Sequence, residues 1–276
     1  MAPAGELVGP ATDAPADAPA ASRVDVGSTW GGITVLSLLA ALLSLPGVQL
    51  LHDRFPVENL SVEMTNRIRN NRDDPVAWAQ ERTNRWTSLA RTAASCLAVF
   101  GAIFLGLVGL SIGWRQGSAL GALPLGLAGG FIGAIGGGLG GLLESTLNIR
   151  LEKAGLDPLL LTALGHSAAW GILATAMALL LRRRVGTWRS LMIRMGRGCG
   201  AAGLASLVYA VVAAICFQLL RSDLPIPEGL GNQFVFLLIG GWALGAGLLR
   251  PLASNAGESA LVPSAEVLVA EGAGTI

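Results

Sequence analysis

Six long apolar stretches, at about 30–51, 92–114, 118–143, 159–181, 198–220 and 233–250, dominate this sequence. Crossing ~30 Å of hydrocarbon takes ~20 residues of helix, and all but the last, shorter run approach or exceed that length. Inside lipid every backbone N–H and C=O must be paired within the segment or within a closed barrel. The runs are continuous rather than alternating, which disfavours a barrel. The expected fold class is therefore all-α: a polytopic integral membrane helical bundle of about six transmembrane helices.

Composition agrees with lipid as the solvent. Only 13% of the 276 residues are charged, against roughly a quarter in soluble domains. A net charge of +1 argues against nucleic acid as a partner. Lys153 is the only lysine among nineteen basic residues, a bias typical of GC-rich bacterial genomes, so a bacterial inner (cytoplasmic) membrane is expected. Cys96, Cys199 and Cys216 lie in apolar segments without metal-ligand spacing. No metal, cofactor or disulfide framework is expected from them.

Residues 1–29 read as a disordered Ala/Pro-rich tail and 251–276 as a flexible tail. Residues 30–51 read as a retained first transmembrane helix, and 52–91 as a polar amphipathic segment. Within it, Asp74-Pro75 supplies a cap oxygen and then a residue that needs no N–H partner. The helix that follows either lies on the membrane or runs on into the next span. Trp30, Trp86 and Trp114 sit where an interfacial belt would place them. Arg182, Arg183, Arg184, Arg189, Arg194 and Arg197 form an acid-free stretch between spans four and five. Read as a topology determinant and lipid-headgroup contact, it puts both termini in the cytoplasm.

Residues 92–250 also suggest two parallel repeats about 70 residues apart. Phe100-Gly101 matches Trp170-Gly171, and the Arg115 turn matches the Arg184 turn. Gly241-Trp242 would open a truncated third unit. In span three Gly129, Gly133, Gly137 and Gly141 recur every four residues and form a flat groove on one helix face. Lipid gives no hydrophobic drive for helices to associate, so close backbone contact must supply it. Gly241 and Gly245 repeat the idea in span six, and Gly196, Gly200 and Gly203 in span five. Spans three and five are accordingly expected at the centre of the bundle.

His166 is the one ionisable residue well inside a span, where such groups face a bundle interior or a wet cavity. Glu144 shares its predicted face, although their depths, counted from the apolar runs, differ by most of two turns. Together they form a possible intramembrane polar site. Gly136, Gly138 and Gly141 formally satisfy G-x-G-x-x-G but lack the preceding strand that nucleotide binding needs. Ser167 and Ser206 lack a serine-hydrolase context. No catalytic residue is expected.

The Ala168–Leu173 pattern A-x-W-G-I-L, an arginine turn and a Gly/Ala-rich helix together resemble glycine-rich membrane repeats of bacterial proteins. Those repeats accompany forkhead-associated, kinase or von Willebrand-type signalling domains. The resemblance covers about 92–250 and implies a membrane module with nothing catalytic, and this chain has no room for the soluble domain. The reading that follows is a non-enzymatic anchor, scaffold or assembly partner, associating with the lipid bilayer, itself or other membrane proteins. The alternative is a small transporter or channel that uses His166.

Overall fold

The computed structural model describes residues 30–55, 74–114, 119–182, 187–218 and 224–249, with isolated positions 66 and 69. The two tails, most of 56–73, the Arg115 turn, Arg183 and Arg184 lie outside the described residues. Among the described residues six helices follow in order: α1 (Trp30–Arg54), α2 (Pro75–Trp114), α3 (Ala119–Lys153), α4 (Pro158–Leu180), α5 (Trp188–Cys216) and α6 (Leu230–Leu248). All six are long and apolar enough to cross a membrane. The protein is a multi-pass, all-helical membrane protein.

Helix starts follow local chemistry. The Asp74 carboxylate accepts from the backbone N–H groups of Val76 and Ala77, at 3.0 and 3.1 Å. The helix that begins there does not stop at the membrane, since α2 is one continuous helix of 40 residues, about 60 Å long. Residues 75–91 of the polar segment are thus the projecting end of a span. That end is steadied by α3, where Arg85 reaches Glu152 at 3.1 Å and Trp86 Nε1 donates to Thr146. At its start α5 also outruns the apolar stretch. Thr187 caps it by accepting from Ser190 N–H, so Arg189, Arg194 and Arg197 lie on its first three turns rather than in a loop. Long arginine stems let the first turns of a span carry charge, because the guanidinium reaches back to the interface.

Consecutive helices pack antiparallel, and α1 closes against α6, so the six form a ring. Within the ring α2, α4 and α6 take the inner positions, with half of their most apolar windows buried. One third is buried in α1, α3 and α5. Each outer helix wedges between two inner ones: α3 between α2 and α4, α5 between α4 and α6, α1 between α6 and α2. This corrects the expectation that spans three and five are central. A glycine stripe welds a helix to its neighbour and says nothing about its remaining surface. The outer side of α3 presents Leu120, Leu123, Leu127, Phe131 and Ile135 outward, a lipid-facing stripe.

The stripe on α3 meets α2 in strict register. A methyl group on Gly129, Gly133, Gly137 or Gly141 would overlap the backbone of Leu105, Gly101, Leu97 or Ala93 respectively. Gly136, read in the sequence only as part of a formal G-x-G-x-x-G, and Gly140, not singled out there, approach α4 at Ala176 and Ala169. Gly241 lies against Phe100 and Phe104, and Gly245 against Ile33 of α1. The stripe expected on α5 does not pack. Gly196 and Gly200 face open space, and Gly203 has only Ser167 Oγ nearby, at 4.0 Å. The packed face of α5 is set instead by Gly198, Ala202, Ser206 and Tyr209. Trp242 points outward onto Trp30, with ring centroids 5.2 Å apart, so it does not occupy the central place that Trp170 has in α4.

Candidate functional site

The turn between α3 and α4 determines what these helices bring together. Gly155 adopts a φ of 71°, the left-handed backbone that closes a helix end, and Leu156 N–H bonds back to Leu151 O. Asp157 then caps α4 by accepting from Leu159 N–H at 2.9 Å, with Pro158 at the first helical position. Two antiparallel helices leaving this turn carry residues equally distant from it at the same depth. Glu144 lies eleven residues before Gly155 and His166 eleven after it.

Their side chains meet there: His166 Nδ1 and Glu144 Oε1 are hydrogen bonded. Both side chains are shut off from the surface, at 1% and 0% exposure. The depth mismatch expected from the sequence disappears because α3 extends ten residues past its apolar run. One oxygen and one nitrogen of the pair have no protein partner, Glu144 Oε2 and His166 Nε2. An unsatisfied polar atom in a membrane interior is costly, so the arrangement is chemically open on two sides.

Aromatic rings enclose the histidine. Phe236 of α6 lies 4.6 Å from it and Tyr209 of α5 5.2 Å, centroid to centroid. Trp170 packs on Phe236 and edge-on to Phe100. Tyr209 donates its hydroxyl to Asn232 Oδ1 at 2.7 Å. Gln233, buried beside Asn232 on α6, leaves both side-chain polar atoms without partners. Four helices therefore supply the site: Glu144 from α3, His166 from α4, Tyr209 from α5 and Asn232 from α6. Sequence reasoning missed Tyr209 and Asn232. Tyr209 is the only tyrosine in the chain, which was the available signal.

On α3 and α4 the flanks of the site differ in polarity. One turn from Glu144 toward the far face (the end of the bundle opposite the start of α1 and the close of α6) lies buried Asn148. One turn from His166 in the same direction lies buried Thr162. Toward the near face come Trp170, Leu173 and Met177, all buried and apolar. The one buried polar group of α5 on that side, Ser206, donates its hydroxyl to Ala202 O.

Acidic charge divides the same way. Among the described residues every acid, Asp53, Asp74, Glu81, Glu144, Glu152, Asp157 and Glu228, lies toward the far face, together with Arg54, Arg82, Arg85, Arg91, Arg150 and Lys153. The described near-face charges are all basic: Arg182, Arg189, Arg194 and Arg197. Arg194 Nη1 donates to Leu248 O at 3.0 Å and so holds the end of α6. No group of His, Cys, Asp and Glu suited to a metal ion occurs among the described residues. Comparison with protein-family models, with curated proteins and with solved structures finds no match, so the site is read from its geometry alone.

Proposed function

We propose that this multi-pass membrane protein handles protons at the Glu144–His166 pair, as a small proton-linked carrier or relay loaded from the far face. The observation that carries this reading is two ionisable side chains from different helices, paired, fully buried and each with an open polar atom. An intramembrane ionisable residue is by default a functional candidate because lipid makes it expensive to keep. Imidazole can take a proton at one ring nitrogen and release one from the other. Asn148 and Thr162 supply polar steps toward the far face, and the aromatic layer closes the near side. Basic residues are nearly equal in number on the two faces, and the acid-free run Arg182–Arg197 breaks the tie in favour of a cytoplasmic near face, hence cytoplasmic termini.

The test is proton flux. Wild-type protein in liposomes holding a pH-sensitive dye, driven by a potassium diffusion potential, should acidify the lumen faster than empty liposomes. Glu144→Gln and His166→Ala should each return the rate to the empty-liposome level. Equal rates for wild type and empty liposomes would eliminate the proposal.

A non-enzymatic anchor or scaffold is the second reading. It is favoured by the 40-residue α2, whose projecting end is tied to α3 by Arg85–Glu152 and Trp86–Thr146. The resemblance to glycine-rich signalling-protein repeats points the same way.

A further inference from the structure

Between α1 and α5, with α6 as its floor, runs an apolar groove of about 560 Å³. Small side chains make the depth: Ala201 and Ala205 on α5, Ala243 and Ala246 on α6. Trp30 and Trp242 form one wall. They stack nearly parallel, and Trp242 Nε1 is fixed by donating to Thr34 Oγ1 at 3.2 Å.

On α6 the lining runs from Leu238 to Gly247, about 14 Å at 1.5 Å per residue. The lining is almost wholly apolar along that length, which suits an acyl chain.

Its near-face end carries charge. Arg197 precedes Ala201 by one turn, and its carbonyl lies against Gly247. Side chains on a helix lean toward its N-terminus, which carries the Arg197 guanidinium past the groove end to the near-face interface. Arg194, partly exposed, is its neighbour one turn nearer the interface, fixed there by its bond to Leu248 O. No acid among the described residues lies on that face to neutralise them. We infer that the groove binds one anionic phospholipid, an acyl chain along the alanine floor and the headgroup phosphate at Arg194 and Arg197. This inference is independent of the proton reading, because the groove and the Glu144–His166 pair share no residue.

The test uses the full chain, purified in detergent and delipidated, then offered equimolar phosphatidylglycerol and phosphatidylcholine with identical acyl chains. Native mass spectrometry counts the retained lipid. Wild type should favour phosphatidylglycerol, and Arg197→Gln should cut that preference about fivefold, the expected contribution of one basic residue at an anionic headgroup. Ala246→Phe fills the groove and should lose both lipids; Ala246→Leu should give a graded version of that loss. Only variants whose lipid-free melting temperature matches wild type are scored. Millimolar glycerol phosphate should leave the bound lipid in place. Equal retention of the two lipids by wild type, or full retention by both Ala246 variants, would overturn the proposal. Displacement by glycerol phosphate would mark a free-anion site instead. A dimer that the Ala246 variants convert to monomer would assign the groove to a second copy.

Discussion

The α2–α3 and α4–α5 hairpins run in the same direction through the bundle and are held by opposite means. In the first, four glycines of α3 lay backbone on backbone against α2. In the second, a methyl added at Gly198 would meet a side chain rather than backbone, Ala174 Cβ at 3.0 Å, and Gly171 and Gly203 leave room. The nearest atom to an added methyl at Gly171 is Cys199 Sγ, and at Gly203 it is Ser167 Oγ, each at 4.0 Å. The tight hairpin buries no ionisable group between its two helices. The looser one contributes His166 and Tyr209 to the polar site. Close backbone contact and a polar site compete for the same space. A contact made by glycines leaves no width for a side chain, whereas a site needs side chains long enough to meet across helices.

The sharpest way to break this comparison is to give each hairpin the same oversized residue. Gly133→Leu or Gly137→Leu must push α3 off α2 along its length, and overpacking with no route to relax exceeds the usual ~1–3 kcal/mol. We expect at least ~4 kcal/mol of destabilisation or no folded protein, read by reversible unfolding in bicelles or by detergent melting. Gly196→Leu and Gly200→Leu, which meet open space, should change stability by no more than ~0.5 kcal/mol. Comparable losses at both pairs of sites would show that the hairpins are not held differently.

How far this contrast could be read from the chain depends on the range of the physics involved. The six helices were legible because a continuous oily run is a local property and lipid leaves its backbone one solution. The stripe at Gly129, Gly133, Gly137 and Gly141 was legible because four-residue spacing fixes a face. Its partner was not, since nothing in the stripe says which neighbour it meets, and centrality was wrongly inferred from smallness. Glu144 and His166 were both visible, but their meeting depended on where α3 ends. That end is set by Gly155 and Asp157 rather than by hydropathy. Tyr209 and Asn232 belong to the site only through the packing of α5 and α6 on α4, which no spacing encodes.

The pair itself offers the next test. Removing one member of a buried pair strands the other, at ~3–5 kcal/mol. His166→Leu and Glu144→Leu should each cost about that much by reversible unfolding. The double replacement should recover most of the loss, because two apolar side chains of similar bulk need no partner. Additive losses would mean that the two groups are held by their surroundings rather than by each other.

The smallest effect is expected where the looser hairpin meets α6. Tyr209→Phe keeps the ring against His166 and Phe236 and deletes only the hydroxyl that donates to Asn232. Interhelical hydrogen bonds in membranes average about 0.6 kcal/mol, so the melting temperature should fall slightly and the fold should persist. If Tyr209 serves only packing, proton flux in liposomes should match wild type. If its hydroxyl helps orient the polar end of α6 beside the pair, flux should fall while stability hardly moves. A large stability loss with flux retained would instead place the Tyr209–Asn232 bond among the structural welds, alongside the glycines of α3, and would shrink the site to Glu144 and His166.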